Sequence, residues 1–355
     1  MKTICTLILG FFLFFSILYF INDIEKKEPS ETETSSSVNQ EPNVQNNDKE
    51  KQSSEKGREP EKEEISGIHS FVGMEIAEIQ AEYGEPDRVD VSSYGYDWWI
   101  YHTPIYIQIG VSDGMVVSVY TNDPLADTAY ISIGDSYETV GEYFSFTEEV
   151  TLTGSFNSYR FELKAEDVLM RPLAPISDIW IQFYFDTVTR ELSSIRFIDQ
   201  ATLLLHRPYS IVYRGSLPEA PQLSDDEWEM VQEGQARQIF DLTNLIRKKH
   251  NLSALEWDDT TADVAYLHSE DMKVNDYFSH SSPTYGELKD RFQAGEISFQ
   301  LAAENIAANY VDGIEAVEGW LNSEGHRVNL LDERFTHLGV GVYRNYYTQN
   351  FMVPW

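Results

Sequence analysis

Ala303-Glu304-Asn305-Ile306-Ala307 and Trp320-Leu-Asn-Ser-Glu-Gly-His326-Arg327 are the two strings from which the C-terminal third of this 355-residue chain can be read. The first sets a carboxylate and an amide inside an apolar run. The second closes a helical stretch, Ile314 to Leu321, in which Val317 and Trp320 suit a buried face, and then delivers an imidazole. Upstream stand Phe278-Ser-His280-Ser and Asn244-Leu-Ile-Arg247 with Leu255-Glu-Trp-Asp258; downstream stands His337-Leu-Gly-Val-Gly341. Between them the apolar period is helical, with Ile239, Leu242 and Ile246 on one face and Ala262, Ala265 and Ser269 on another. Periodicity alone gives several helices followed by a C-terminal hairpin.

Further toward the N-terminus the pattern changes at Pro208 to Ser224, where Pro218, Pro221 and Leu-Ser-Asp-Asp prepare a helix start. This is read as a connection over 208–234, an accessible boundary at which proteolysis releases a folded C-terminal fragment. Before it, residues 67–207 carry a faint duplication. Val72-Gly73-Met74-Glu75-Ile76-Ala77-Glu78-Ile79 is echoed by Ile133-Gly134-Asp135-Ser136-Tyr137-Glu138-Thr139-Val140, each a glycine followed by a short helical pattern. Each half then has alternating strands, Tyr106–Ile109 with Met115–Tyr120 and Ile179–Phe183 with Ser194–Ile198, which predicts two helix-plus-hairpin units. Gly110-Val-Ser-Asp-Gly114 matches a nucleophile-elbow string, but that motif has meaning only between a strand and a helix. Here Asp-Gly between two strands reads as a hairpin turn.

The first 66 residues decide the compartment. Thr3 to Ile21 is uncharged and as a helix spans roughly 28 Å, close to a hydrocarbon core of about 30 Å. It lacks an Ala-x-Ala cleavage pattern and is read as an uncleaved signal anchor over residues 1–21. Residues 22–66 hold almost no large apolar side chains and are read as a disordered acidic linker. That linker has 13 acidic and 7 basic residues, and Lys2 adds one positive charge, so residues 67–355 keep −28 of the net −33. Nucleic acid is excluded as a partner, because phosphate binding needs a basic face. The one cysteine, Cys5, falls in the apolar segment, so no disulfide supports the folded part.

Residues 235–355 resemble the CAP superfamily, named for cysteine-rich secretory proteins, antigen 5 and pathogenesis-related-1 proteins. The match rests on the four spaced elements quoted above, in order. The resemblance implies an α-β-α sandwich, and residues 67–207 look like the CAP-associated domain of some bacterial members. The expected class is therefore α+β throughout, a CAP-type sandwich preceded by a duplicated helix-plus-hairpin domain.

The family's cleft holds a tetrad of two histidines and two glutamates. His280 matches the first histidine, and Glu304 matches the glutamate of Gly-Glu-Asn, with Ala303 in place of glycine. The second glutamate falls on Ser323 and the last histidine on Tyr346, where Tyr347-Thr348-Gln349 continue that motif. His326 fits the Ser-x-Gly-His pattern of bacterial members. His280, Glu304, His326, Ser323 and Tyr346 are thus the candidate ligand cleft. His280, His326 and Glu304 are also the right types for a divalent metal such as zinc. His268 and Glu270 are placed on the solvated side of a helix.

Three functions stay open. The first is a non-enzymatic extracellular module, anchored by a single N-terminal helix, that binds a protein, peptide or small ligand. The second is a metal-dependent hydrolase of peptide or cell-wall substrates. The third, resting on fold analogy alone, is a lipid carrier.

Overall fold

A computed structural model describes residues 67–153 and 157–355. The expected anchor and linker lie outside the described residues. Among those residues no helix is long and apolar enough to cross a membrane.

The N-terminal part begins with a 3-10 turn, Ile68–Phe71, then α1 (Ile76–Tyr83), β1 (Arg88–Val91), β2 (Asp97–Tyr101), β3 (Ile107–Ser112) and β4 (Met115–Thr121). There follow α2 (Tyr137–Gly141), β5 (Glu149–Thr153), β6 (Ser158–Glu162), α3 (Ala165–Met170), β7 (Leu173–Ile176), β8 (Ile179–Asp186), β9 (Glu191–Ile198), α4 (Gln200–His206) and β10 (Ser210–Arg214). A seven-stranded sheet runs in the order β1-β2-β3-β4-β9-β8-β7, and every neighbouring pair is antiparallel. Ser112 lies at the end of β3, and the chain turns through Asp113 and Gly114, both at positive φ, into β4. The elbow string is therefore a hairpin.

The same local geometry appears twice. Gly73 donates its N–H to Val116 and Ile76 to Gly114, while Gly134 donates to Leu192 and Tyr137 to Arg190. In each half this short antiparallel clip ties the start of a helix to the second strand of a hairpin. The two hairpins meet through β4 and β9.

The C-terminal part consists of α5 (Asp225–Lys249), β11 (Glu256–Trp257), α6 (Asp259–Val274), α7 (Leu288–Ala294), β12 (Phe299–Ala308), α8 (Gly313–Leu321), α9 (Glu324–Leu330), β13 (His337–Tyr343) and β14 (Tyr346–Pro354). Its sheet runs β11-β13-β14-β12, leaving β12 at an edge. Helix α5 starts at a capping box between Ser224 and Glu227, has three acids in its first turn and three bases in its last, and so complements its own dipole at both ends. A Cβ on Gly339 or Gly341 would come within 2.2 or 1.9 Å of the α6 backbone, so α6 can lie on β13 only with glycine there. The segment expected as a connection over 208–234 is more ordered than a linker. It contains β10, paired with β6 in a three-stranded sheet β10-β6-β5, and the first ten residues of α5.

Both faces of the seven-stranded sheet are covered. On one side Ile109, Val119, Ile181, Phe183 and Phe197 form a core with Ile76, Ile79 and Val140 of α1 and α2. On the other, Tyr96, Trp98, Tyr120 and Tyr184 join Ile239, Leu242, Val317 and Trp320 of the C-terminal domain in a single apolar cluster. The polar residues that alternate with the first set are consequently buried against α8. Arg196, fully buried, pairs with Asp312 at 2.7 Å; Gln182 and Arg171 reach Glu315 at 2.8 and 3.1 Å; Ser194 reaches Glu318 at 2.6 Å. Asp312, Glu315 and Glu318 are spaced by three, so they share one face of α8. Asn322, just past its end, continues the seam by accepting from the Thr187 N–H at 2.7 Å.

The two domains thus share a core. A fragment starting near Leu223 exposes the apolar faces of α5 and α8 together with three carboxylates, and it is expected to lose its cooperative melt and aggregate. Circular dichroism on the proteolytic or recombinant fragment checks this. Burial, only partly offset by the Ser194 and Ser193 hydroxyls, pushes Glu318 up from 4.5 to about 7. Because the folded value lies above the unfolded one, its contribution is fully present below pH 4.5 and is lost as pH rises toward 7. Glu318→Gln removes this dependence. Relative to wild type the variant is expected to gain up to about 3 kcal/mol between those limits, read by urea unfolding at a series of pH values.

Candidate functional site

The site is built around the edge strand β12. Glu304 is buried, and its side chain lies on the α6 and α7 side of the sheet. One carboxylate oxygen accepts from Arg291 of α7, and the other lies 2.9 Å from His280 Nδ1. Arg291 is itself 5% exposed and donates through Nη1 to the carbonyls of His280 and Gly286, at 2.8 and 2.9 Å. One guanidinium therefore fixes both the carboxylate and the loop that carries His280. The His280 side chain is about half exposed.

His326 arrives from the other side of β12. It sits in the first turn of α9, with Nδ1 2.8 Å from the hydroxyl of Ser323 at the N-cap, and its carbonyl accepts from Asn305 at 3.1 Å. Asn329 bonds the Glu304 carbonyl and the Asn305 side chain, at 3.2 and 3.0 Å, and so clamps α9 to the strand. The His280 and His326 rings end with centroids 6.4 Å apart. Burial, followed by the neighbouring His280, lowers the His326 pKa, which favours its neutral form at pH 7.

His280, Glu304, His326 and Ser323 are therefore brought to one rim. Tyr346 is not among them. On the β12–β14 ladder Glu304 pairs with Asn350 and Tyr346 with Ala308, four residues away. The Tyr346 ring packs with Met272, Ile306 and Tyr277, because an aromatic ring at that register is better placed in the apolar cluster than at the polar rim. His268, expected on a solvated face, is a second correction. It is 1% exposed, donates from Nε2 to the Ser279 carbonyl at 3.1 Å, and lies 3.9 Å from Glu304. Its position one turn before Met272 on the buried face of α6 was the available signal. Arg291 carries no motif of its own and was found only through its contacts.

The expected metal set meets an obstacle. Both oxygens of Glu304 are engaged, one by a cation, and among the described residues no group of three His, Cys, Asp or Glu is placed to hold a metal ion. The arrangement does not fit a three-ligand centre. It fits a carboxylate that orients His280: with Nδ1 directed at Glu304, Nε2 faces the cleft.

Models of two families match this chain, CAP-associated N-terminal over residues 72–209 and cysteine-rich secretory protein family over 240–353. It is 49% identical over 295 residues to the uncharacterized membrane protein YlbC of Bacillus subtilis (strain 168), an alignment covering 82% of this chain and 84% of that protein. This chain is a CAP-family protein. The uncharacterized protein YkwD of the same organism is 42% identical over 118 residues, 33% of this chain and 46% of YkwD. An extracellular protein containing a SCP domain from Bacillus anthracis has a crystal structure that matches with a TM-score of 0.78 and 46% identity, over 84% of this chain and 99% of that one. A cysteine-rich secretory protein from Staphylococcus aureus shares the fold, with a TM-score of 0.73 at 22% identity, over 81% of this chain and 93% of that one.

In this CAP domain the Arg291–Glu304 pair, each side chain 4% exposed, is the least replaceable contact of the site. Removing one partner leaves a buried charge without its counter-ion, so Glu304→Ala and Arg291→Ala are each expected to cost about 3 to 5 kcal/mol. The double variant should cost clearly less than the sum of the two. A double-mutant cycle by urea unfolding measures the coupling.

Proposed function

We propose that this chain works outside the cell, held at the membrane by Thr3–Ile21, as a binding module whose cleft takes a neutral or cationic polar ligand on His280 and His326. The observation that carries the reading is the saturation of Glu304 between Arg291 and His280. A carboxylate so engaged positions an imidazole rather than activating water. His280 and His326 each direct Nδ1 at a protein oxygen, which leaves both Nε2 atoms outside these contacts, on rings whose centres are 6.4 Å apart. The excess of acids over the folded part favours a ligand with donors and positive charge. The membrane and extracellular placement draws support from the apolar N-terminal run and from the names borne by the relatives in B. subtilis and B. anthracis.

A second reading, a metal-dependent hydrolase of peptide or wall polymer, is favoured by one feature. A histidine held by a carboxylate is the unit commonly found behind a metal ligand. Thermal melts of the full chain with a lysine-containing tripeptide, with zinc chloride and with chelator separate the two. The tripeptide is expected to raise the melting temperature in wild type but not in the His280→Ala/His326→Ala variant, since only a ligand preferring the folded state stabilises it. A zinc shift abolished by either single histidine variant, or His280-dependent cleavage of peptidoglycan fragments, would overturn the binding reading in favour of the hydrolase.

A further inference from the structure

Arg291 also lines a second concavity. Between α6 and α7 lies an open groove of about 410 Å³, within the range of about 300 to 1,000 Å³ usual for ligand sites. Its apolar walls include Leu267, Val274 and Tyr285, which are 56%, 65% and 57% exposed. Three large apolar side chains turned outward around one groove are an unusual surface for a soluble domain, and such patches mark interaction sites.

The polar groups of the groove narrow the choice of occupant. Asp271 is already spent, on Asn275 at 2.8 Å, on Ser282 at 2.7 Å and on the Tyr277 hydroxyl. Arg291 uses Nη1 and Nη2 on His280, Gly286 and Glu304, but its Nε is buried and has no hydrogen-bond partner among the described residues. Glu270, half-buried at the groove, supplies a carboxylate that favours a cation.

We propose that this groove binds the N-terminal residue of a peptide that carries a large apolar side chain. The side chain lies among Leu267, Val274 and Tyr285, and the α-ammonium faces Glu270. Charge complementarity selects this occupant over an anionic amphiphile, whose head group would meet Glu270 and Asp271 and the −28 of residues 67–355. The site is distinct from the histidine cleft and does not depend on what that cleft binds.

Isothermal titration of the full chain with leucyl-phenylalaninamide tests it, with the N-acetylated dipeptide amide and octanoate as comparison probes. Saturable binding of the free-amine probe is expected, at least tenfold weaker after acetylation and at least tenfold weaker in Glu270→Gln. Ala294 is an exposed lining residue, so Ala294→Trp fills the groove without touching the core and should weaken binding as much. Absence of saturable binding, affinity unchanged in Ala294→Trp, or preference for octanoate over the amide would each overturn the proposal.

Discussion

A single carboxylate, Asp312, decides how this molecule is assembled. One of its oxygens accepts the Glu315 N–H and starts α8, and the other pairs with the fully buried guanidinium of Arg196 in the N-terminal sheet. The start of a C-terminal helix and its docking on the other domain are thus the same interaction. Buried pairs of this kind are weak sources of net stability, because desolvation consumes most of the Coulomb gain. Their effect here is on arrangement: any other rotation of α8 leaves Arg196, Glu315 and Glu318 without partners.

The site inherits that constraint. Asn322, just past the end of α8, accepts from the Thr187 N–H and donates to the Phe185 carbonyl, and Arg327 of α9 pairs with Asp186 at 2.9 Å. The turn that presents Ser323 and His326 is therefore fastened at both ends to the N-terminal sheet. The CAP-associated domain forms one side of the scaffold that aims an imidazole at the cleft. On the other side Arg291 repeats the device in miniature, one buried cation organising a carboxylate, a loop and His280.

Charge runs through both halves of this description. The folded part is strongly acidic, yet Arg196 and Arg171 face carboxylates at the domain seam and Arg291 faces one in the site, all with little exposure. Planar guanidinium groups with several donors suit this task better than lysine, since one side chain can satisfy a carboxylate and neighbouring carbonyls together. The surface is left with the excess of acids.

The helical period around Ile239, the Asp-Gly turn at 113–114, the cap at Ser224 and the pairing of His280 with Glu304 were legible in the sequence, because each follows from local chemistry or from motifs that stand in order along the chain. The alternation in Ile195-Arg196-Phe197 was legible as a strand of a hairpin, but it did not show that the polar face is a buried seam. Nothing local distinguishes a polar residue facing water from one facing an acid 116 positions away. For the same reason Arg291 gave no signal, His268 was assigned to the wrong face and Tyr346 to the wrong cluster. Sequence by itself determined which elements form and which residues carry chemistry; the tertiary structure alone decided which charges meet, because the cost of burying a charge depends on a partner that the chain brings near only by folding.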